Sequence, residues 1–253
     1  MWVCVLECAC MMWWRRSLFH RPVYADQAGP QLHVVLDLDG TLIHSEDEES
    51  FVQLLNTLSP EQRAKFRMPD GRTESYVTWL RPHVKLFLEQ VSQMATLHVF
   101  TAASRSYANG VIKLLDPEHK YFCKGQILCN DSTSAEENWV KDISLLQVPL
   151  EHVVLVDDLP RSTRWHPHNG ILVPAFMMTR VSDEDWQDAQ EDTVLLDVLV
   201  ILHVLKAALE ADIPVYTVLE DLGVGHAPQG SRVSRSRWRS LFDPHTPHSS
   251  TPQ

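Results

Sequence analysis

Two aspartates two residues apart, Asp37 and Asp39, follow a short apolar run, Leu32 to Leu36, and precede Gly40-Thr41. A carboxylate in such a place can attack an electrophile, and a second beside it can give or take a proton. Further along, Thr101 closes another apolar run, Lys141 lies in Trp139-Val140-Lys141-Asp142, and Asp157-Asp158 close a third run. Phosphate-monoester hydrolysis needs this set of groups, because the dianion repels an incoming nucleophile. It takes a placed nucleophile, a proton donor for the leaving oxygen and positive charge around the equatorial oxygens. Asp37 is then the expected nucleophile, forming an aspartyl-phosphate. Asp39 is the expected acid for the leaving alkoxide and later the base for water, so neighbouring carboxylates should raise its pKa. Thr101 offers a hydroxyl and Lys141 an ammonium to the phosphate, and Gly40 permits a tight turn whose N–H groups can cradle it. Magnesium wants hard oxygen ligands, which Asp37, the Asp39 carbonyl and a carboxylate from Asp157/Asp158 would supply.

Each piece has an ordinary explanation when taken alone. An Asp-x-Asp-Gly-Thr string can be a turn, Thr101 a strand-end hydroxyl, Lys141 a surface lysine and Asp157-Asp158 a cap. A calcium loop counted from Asp37 fails, since its sixth position holds Leu42 in place of glycine. The order of the groups and their places at strand ends favour the phosphoryl reading.

The elements that must position them follow from periodicity. Leu32–Leu36, Leu97–Phe100 and Val153–Val156 read as strands, with Ile171–Val173 a fourth candidate. After Arg81-Pro82, the apolar residues Val84, Phe87, Leu88, Val91 and Met94 mark one face of a helix. A second helix runs from an N-cap at about Ser104 to Leu115, and a third from Asp183 to about Glu210 with a buried section over 194–205. Strands alternating with helices predict an open, mostly parallel α/β sheet with helices on both faces, and ligands at the strands' carboxyl ends.

With 253 residues, 44% hydrophobic and 22% charged, the chain can build one ordinary domain plus tails. A net charge of −11 argues against direct nucleic-acid binding. The five cysteines show no zinc-ligand spacing, which predicts reduced thiols in an intracellular protein, in nucleus or cytoplasm. Residues 1–28 form a leader whose first fourteen residues are apolar except Glu7, followed by Arg15-Arg16. The run is too short to span a bilayer, and its charge follows the apolar stretch where a signal peptide would put it first. It reads as an untethered leader, the alternative being a membrane-surface anchor with Trp13 and Trp14 at the interface and acylated Cys8 or Cys10. Residues 223–253, rich in Gly, Ser, Pro, His and Arg, read as a largely disordered tail. Glu46 to Glu49 read as a solvated acidic run.

The ordered set Asp37-Leu38-Asp39-Gly40-Thr41, Thr101, Lys141 and Asp157-Asp158 resembles the haloacid dehalogenase superfamily. More narrowly, the chain looks like the phosphatases of the RNA polymerase II carboxy-terminal domain and their NLI-interacting-factor-like relatives. Leu42-Ile43-His44-Ser45, Arg81-Pro82-His83, Phe100-Thr101-Ala102 with Tyr107-Ala108, His166-Pro167 with Asn169, and Val215 to Leu219 share that wording. The likeness covers about residues 31–220, within a phosphatase domain placed at 29–222. It implies a Rossmann-like sheet with a small flap inserted between His44 and Trp79 and no large cap. It implies a magnesium-dependent phosphoserine or phosphothreonine phosphatase acting on a protein, for instance the polymerase carboxy-terminal domain. Asp37 would be the nucleophile, Asp39 the acid/base, and Thr101, Ala102 and Lys141 the phosphate-binding positions. Asp158 would join Asp37 and Asp39 around the metal, with Asp157 beside it. Two departures stand out: Gly40 replaces the family's usual glutamate, and Cys129-Asn130-Asp131 replaces an arginine-acid pair. Two alternatives stay open, a non-catalytic docking module of the same fold and a small-metabolite phosphatase of the superfamily.

Overall fold

Strand β1 (Leu32–Leu36) is apolar on both faces except His33, so it suits a place between two neighbours inside a parallel sheet. It pairs in parallel with β5 (Ala95–Phe100) on one side and β7 (Val153–Asp157) on the other. The computed structural model describes residues 29–73, 75–133, 139–178, 189–224 and 233–242. β6 (Ile127–Leu128) joins β5 and β8 (Gly170–Leu172) joins β7, giving the all-parallel order β6-β5-β1-β7-β8.

Pleating sends alternate residues to two cores. Val34, Leu36, Val99 and Val156 enter the larger one, under the helices α3 (Val84–Met94), α4 (Arg105–Leu115), α5 (Val194–Glu210) and α6 (Val215–Leu222). Val35, Phe100 and Leu155 enter a smaller one, closed by the 3-10 turns Ile143–Leu146 and Leu150–His152. Helical segments therefore cover both faces, long on one and short on the other.

The insertion after β1 is a flap. Strands β2 (Ile43–Asp47), β3 (Gly71–Thr73) and β4 (Tyr76–Leu80) form an antiparallel sheet in the order β2-β4-β3, with α1 (Glu48–Thr57) and α2 (Pro60–Lys65) between β2 and β3. Phe51 and Phe66 meet Trp79 edge-on at 5.6 and 6.1 Å, giving the flap a small core of its own with Phe176 and Met178. The acidic run is more than a solvated face. Asp47 caps α1 by accepting the Ser50 N–H at 2.9 Å, and Glu48 and Glu49 occupy the first turn, where the helix dipole favours negative charge.

Two expectations need correction. The helix expected to run from Asp183 is interrupted before Val194, because the Asp192 carboxylate turns inward to Arg81 and accepts the Val194 N–H; residues 183–188 lie outside the described residues. The stretch read as a disordered tail is ordered over 233–242. There α7 (Arg235–Leu241), capped by Ser234, buries Trp238 to 1% exposure in the large core. One aromatic side chain in an otherwise polar segment outweighed the composition around it. The leader 1–28 lies outside the described residues. Among the described residues, no helix is long and apolar enough to cross a membrane.

Candidate active site at the carboxyl edge of the sheet

β1 delivers Asp37 to its carboxyl end, where the Asp37 N–H extends the ladder to the Val156 carbonyl at 3.1 Å. The chain then turns sharply. The N–H groups of Thr41, Leu42 and Ile43 all point to the Leu38 carbonyl, and Gly40 sits at φ +83°, in the left-handed region glycine tolerates. A Cβ at Gly40 would lie 2.8 Å from the Asp158 carboxyl carbon, so the missing side chain leaves room for that acid. The glutamate of the family pattern is absent here, and this close approach is where its absence is felt.

Lys141 is the centre of the site. Its Nζ donates to Asp37 Oδ1 and to Asp157 Oδ2, each at 2.6 Å, and all three side chains are buried. The lysine is held from behind. Its N–H donates to the Ser162 carbonyl, and Asp142 pairs with the His166 ring at 2.9 Å, while Asn169 ties the following turns to Leu150 and Val153. These bonds give a physical role to the His166-Pro167 and Asn169 wording. Burial would lower the lysine's pKa, but Asp157 and Asp37 together hold it above its ordinary value, so it stays charged. The Asp37 carboxyl is pushed up to about 8, chiefly by burial, with Lys141 pulling down and Asp157 and Asp158 pushing up.

Asp37 Oδ2 accepts the Thr41 hydroxyl at 3.1 Å, and Asp157 Oδ1 accepts the Leu159 N–H at 2.8 Å. Asp37, Asp157 and Asp158 bring carboxylate oxygens within 4.8 Å of one another, all buried. Three close, buried carboxyl groups around one ammonium form a hard oxygen set that a small divalent cation fits. Both oxygens of Asp157 are engaged, by the lysine and by a backbone N–H, whereas Asp37 shares its second oxygen with the Thr41 side-chain hydroxyl, which can turn away to let a cation bind.

Asp39 stands apart from that trio. Its Oδ1 accepts the Tyr107 hydroxyl at 2.5 Å, and its carboxylate is not among the three that cluster. Asp39 is exposed, and its carboxyl is raised by desolvation against the surrounding protein rather than by the neighbouring carboxylates expected, with the Tyr107 bond working against that rise. Thr101, at the end of β5, accepts the Ala103 N–H on its hydroxyl oxygen at 3.1 Å, which leaves the hydroxyl proton to donate elsewhere. Ala102 beside it is exposed. The position where the family pattern has arginine is held by Cys129, which is buried among apolar side chains and brings no charge.

Three contributors had no role in the sequence reading, although Tyr107, Thr41 and Arg81 each stand in a matched string. Tyr107 is three residues past the Ser104 cap, so the first turn of α4 aims it back at the strand ends; that offset was a legible signal. Thr41 was part of a matched string with no role attached. The pairing of Arg81 with Asp192, 111 residues apart, left no signal in the sequence.

A five-stranded parallel sheet, a small flap after the first strand and acids with a lysine at the strand ends define the class of haloacid dehalogenase-like phosphatases. The chain belongs to the NLI interacting factor-like phosphatase family, whose model matches residues 32–213. It is 32% identical over 173 residues to CTD nuclear envelope phosphatase 1B of Danio rerio, covering 68% of this chain and 66% of that protein. It is 31% identical over 192 residues to the CTD small phosphatase-like protein of Homo sapiens, covering 75% of this chain and 60% of that protein. Nuclear envelope morphology protein 1 of Schizosaccharomyces pombe is 31% identical over 177 residues, covering 70% of this chain and 34% of that protein. The chain thus spans between about a third and two thirds of these relatives' lengths. The solved structure of Fcp1, an essential RNA polymerase II CTD phosphatase, shares the fold at a TM-score of 0.59 and 17% identity, over 94% of this chain and 83% of that one.

Proposed function

We propose that the chain is a magnesium-dependent phosphoserine/phosphothreonine protein phosphatase that works through an aspartyl-phosphate on Asp37. The observation that carries this reading is the Lys141 ammonium held 2.6 Å from both Asp37 and Asp157, beside Asp158, at the carboxyl ends of β1 and β7. A carboxylate oxygen of Asp37 attacks phosphorus in line with the leaving oxygen, forming the O–P bond as the ester P–O bond breaks. Asp39, protonated at the start, gives its proton to the departing alkoxide. Asp39 then takes a proton from the water that attacks the phospho-aspartate, which releases inorganic phosphate and restores Asp37. Lys141 stays charged throughout and, with the Thr101 hydroxyl and the backbone at Ala102, stabilises the equatorial oxygens. Asp37, Asp158 and the Asp39 carbonyl would hold Mg2+, whose chemistry here is to neutralise phosphate charge.

A protein substrate is supported by the size of the flap, which occupies only β2 to β4 and lacks the bulk of a cap that encloses small metabolites. The relatives named as CTD phosphatases support a phosphorylated tail such as that of RNA polymerase II as one substrate, and those named for the nuclear envelope support a nuclear setting. Cys129 brings no charge, so this chain relies on other contacts to hold the substrate phosphate. A panel of phosphoserine and phosphothreonine peptides set against sugar phosphates tests the substrate class. Peptides should be turned over faster by about tenfold or more in kcat/KM. Faster turnover of sugar phosphates would replace the protein-substrate reading with a metabolite one, and no turnover of either would favour a docking module.

A further inference from the structure

A second buried ion pair lies behind the site. The Arg81 guanidinium is closed off from solvent and all its N–H groups have a target: Nε and one terminal nitrogen grip Asp192 Oδ1 and Oδ2 at 3.0 Å each, and that terminal nitrogen also meets the Pro174 carbonyl at 2.8 Å. Its other terminal nitrogen donates to the Thr41 carbonyl at 3.0 Å and to the Gly40 carbonyl at 3.4 Å. A guanidinium is a rigid plane, so a carboxylate that fixes one edge fixes the direction of the other. The edge so aimed holds the turn between Asp37 and β2, whose Thr41 hydroxyl bonds Asp37 itself.

Asp192 is gripped from a second side. Arg235, in the first turn of α7, reaches Asp192 Oδ2 at 3.3 Å, and Trp238, one turn on, donates its indole N–H to Asp197 Oδ2 at 2.9 Å. Asp192 and Asp197 flank the start of α5, so the short helix α7 answers two neighbouring acids with two donors. Seven residues cannot hold a helix in water alone, which ties the order of α7 to this docking. α7 also lies beyond residues 32–213, the part of the chain matched by the family.

We propose that α7 is a positioning element of the site: through Asp192 and Arg81 it holds the Gly40–Thr41 turn, and with it the carboxylates on either side. Its effect on turnover rests on the phosphatase reading; its effect on the turn does not. The test uses the full chain with Arg235→Ala, Arg235→Lys, Asp192→Asn and the Ala/Asn double variant, with exposed Arg239→Ala as the control. Amide hydrogen exchange across residues 38–43 and kcat and KM for an aryl phosphate are read well below each variant's melting temperature.

The expected result is faster exchange in the 38–43 turn for Arg235→Ala and Asp192→Asn, with Arg235→Lys and Arg239→Ala matching wild type. Turnover should fall about threefold in Arg235→Ala and about tenfold in Asp192→Asn, with KM within about twofold, the range expected of coupling through a shared contact. The double variant should match Asp192→Asn alone, because Arg235 acts through that carboxylate. Wild-type exchange in Arg235→Ala, or losses that multiply in the double variant, would overturn the proposal. A wild type without turnover but with the expected exchange pattern would remove the phosphatase reading and keep the coupling.

Discussion

Lys141 and Asp157 are locked together, ammonium to carboxylate at 2.6 Å, with both side chains shut away from solvent. A buried pair of this kind is weak support for stability but a strong orienting device, since the lysine cannot leave without stranding a charge. Replacing Lys141 by Met should therefore do two things. Three acids lose the buried ammonium between them, which should cost about 3–5 kcal/mol of stability, and aryl phosphate hydrolysis should fall by about 100-fold or more. Thermal unfolding with and without magnesium checks the electrostatic part: the cation should stabilise Lys141→Met more than wild type. Equal stabilisation of both would mean that the trio does not gather charge around one ion.

Gly40 makes a second prediction about the same acids. Its φ of +83°, and the mere 2.8 Å that would separate a Cβ there from the Asp158 carboxyl carbon, leave no space for alanine. Gly40→Ala should cost about 1–3 kcal/mol, the usual scale for a side chain forced into that backbone region. It should also shrink the rise in melting temperature expected on adding magnesium, because Asp158 must move. Unchanged magnesium stabilisation in the variant would exclude Asp158 from the cation's surroundings.

The sheet and the acids were legible in sequence for a shared reason. Leu32–Leu36 and Val153–Val156 are apolar runs that end abruptly in Asp37 and Asp157, and a buried parallel strand can write itself in few other ways. Which of Asp157 and Asp158 meets the lysine was not legible, because adjacent strand-end residues point to opposite sides and the sequence does not say which side Lys141 approaches from. Arg81 and Asp192 were invisible as a pair, being joined only by the way the flap and α5 fold onto the turn. Trp238 shows the opposite failure, a local composition that reads as disorder while one side chain finds a core.

Tyr107 gives a prediction about proton transfer. Its hydroxyl holds Asp39 Oδ1 at 2.5 Å, and burial followed by the neighbouring Asp39 charge raises the hydroxyl's own pKa, so it remains a donor. Tyr107→Phe frees the carboxyl to rotate. Phosphoserine peptides, whose alkoxide must be protonated as it leaves, should slow by about tenfold or more, within the range of general-acid contributions. Nitrophenyl phosphate, with a stable leaving group, should slow far less. Equal slowing of both substrates would show that the tyrosine acts on something other than the acid.

His98 predicts an acid weakness away from the site. It is buried on β5, within 3.0 Å of the His33 ring, and accepts the Gln126 N–H on Nδ1. Burial first, then His33, lowers its pKa to about 4. Between that value and the ordinary value of 6.5 the unfolded chain binds the proton the folded chain refuses, so stability is full above about 6.5 and falls as pH drops toward 4. The loss from this ring between pH 7 and 5 should be on the order of 1–2 kcal/mol. Urea unfolding of wild type and His98→Gln at the two pH values checks it: the variant should lose less on acidification. A pH dependence identical in both would place the acid sensitivity elsewhere.

Transfer of the phosphoryl group to a side-chain oxygen of Asp37, with a divalent cation beside it, is tested most directly by aryl phosphate hydrolysis. Wild type and Asp37→Asn are each assayed with magnesium and with a chelator. Wild type should turn over only with magnesium, and in magnesium Asp37→Asn should be slower than wild type by about a thousandfold or more. Turnover by Asp37→Asn at the wild-type rate would contradict that chemistry.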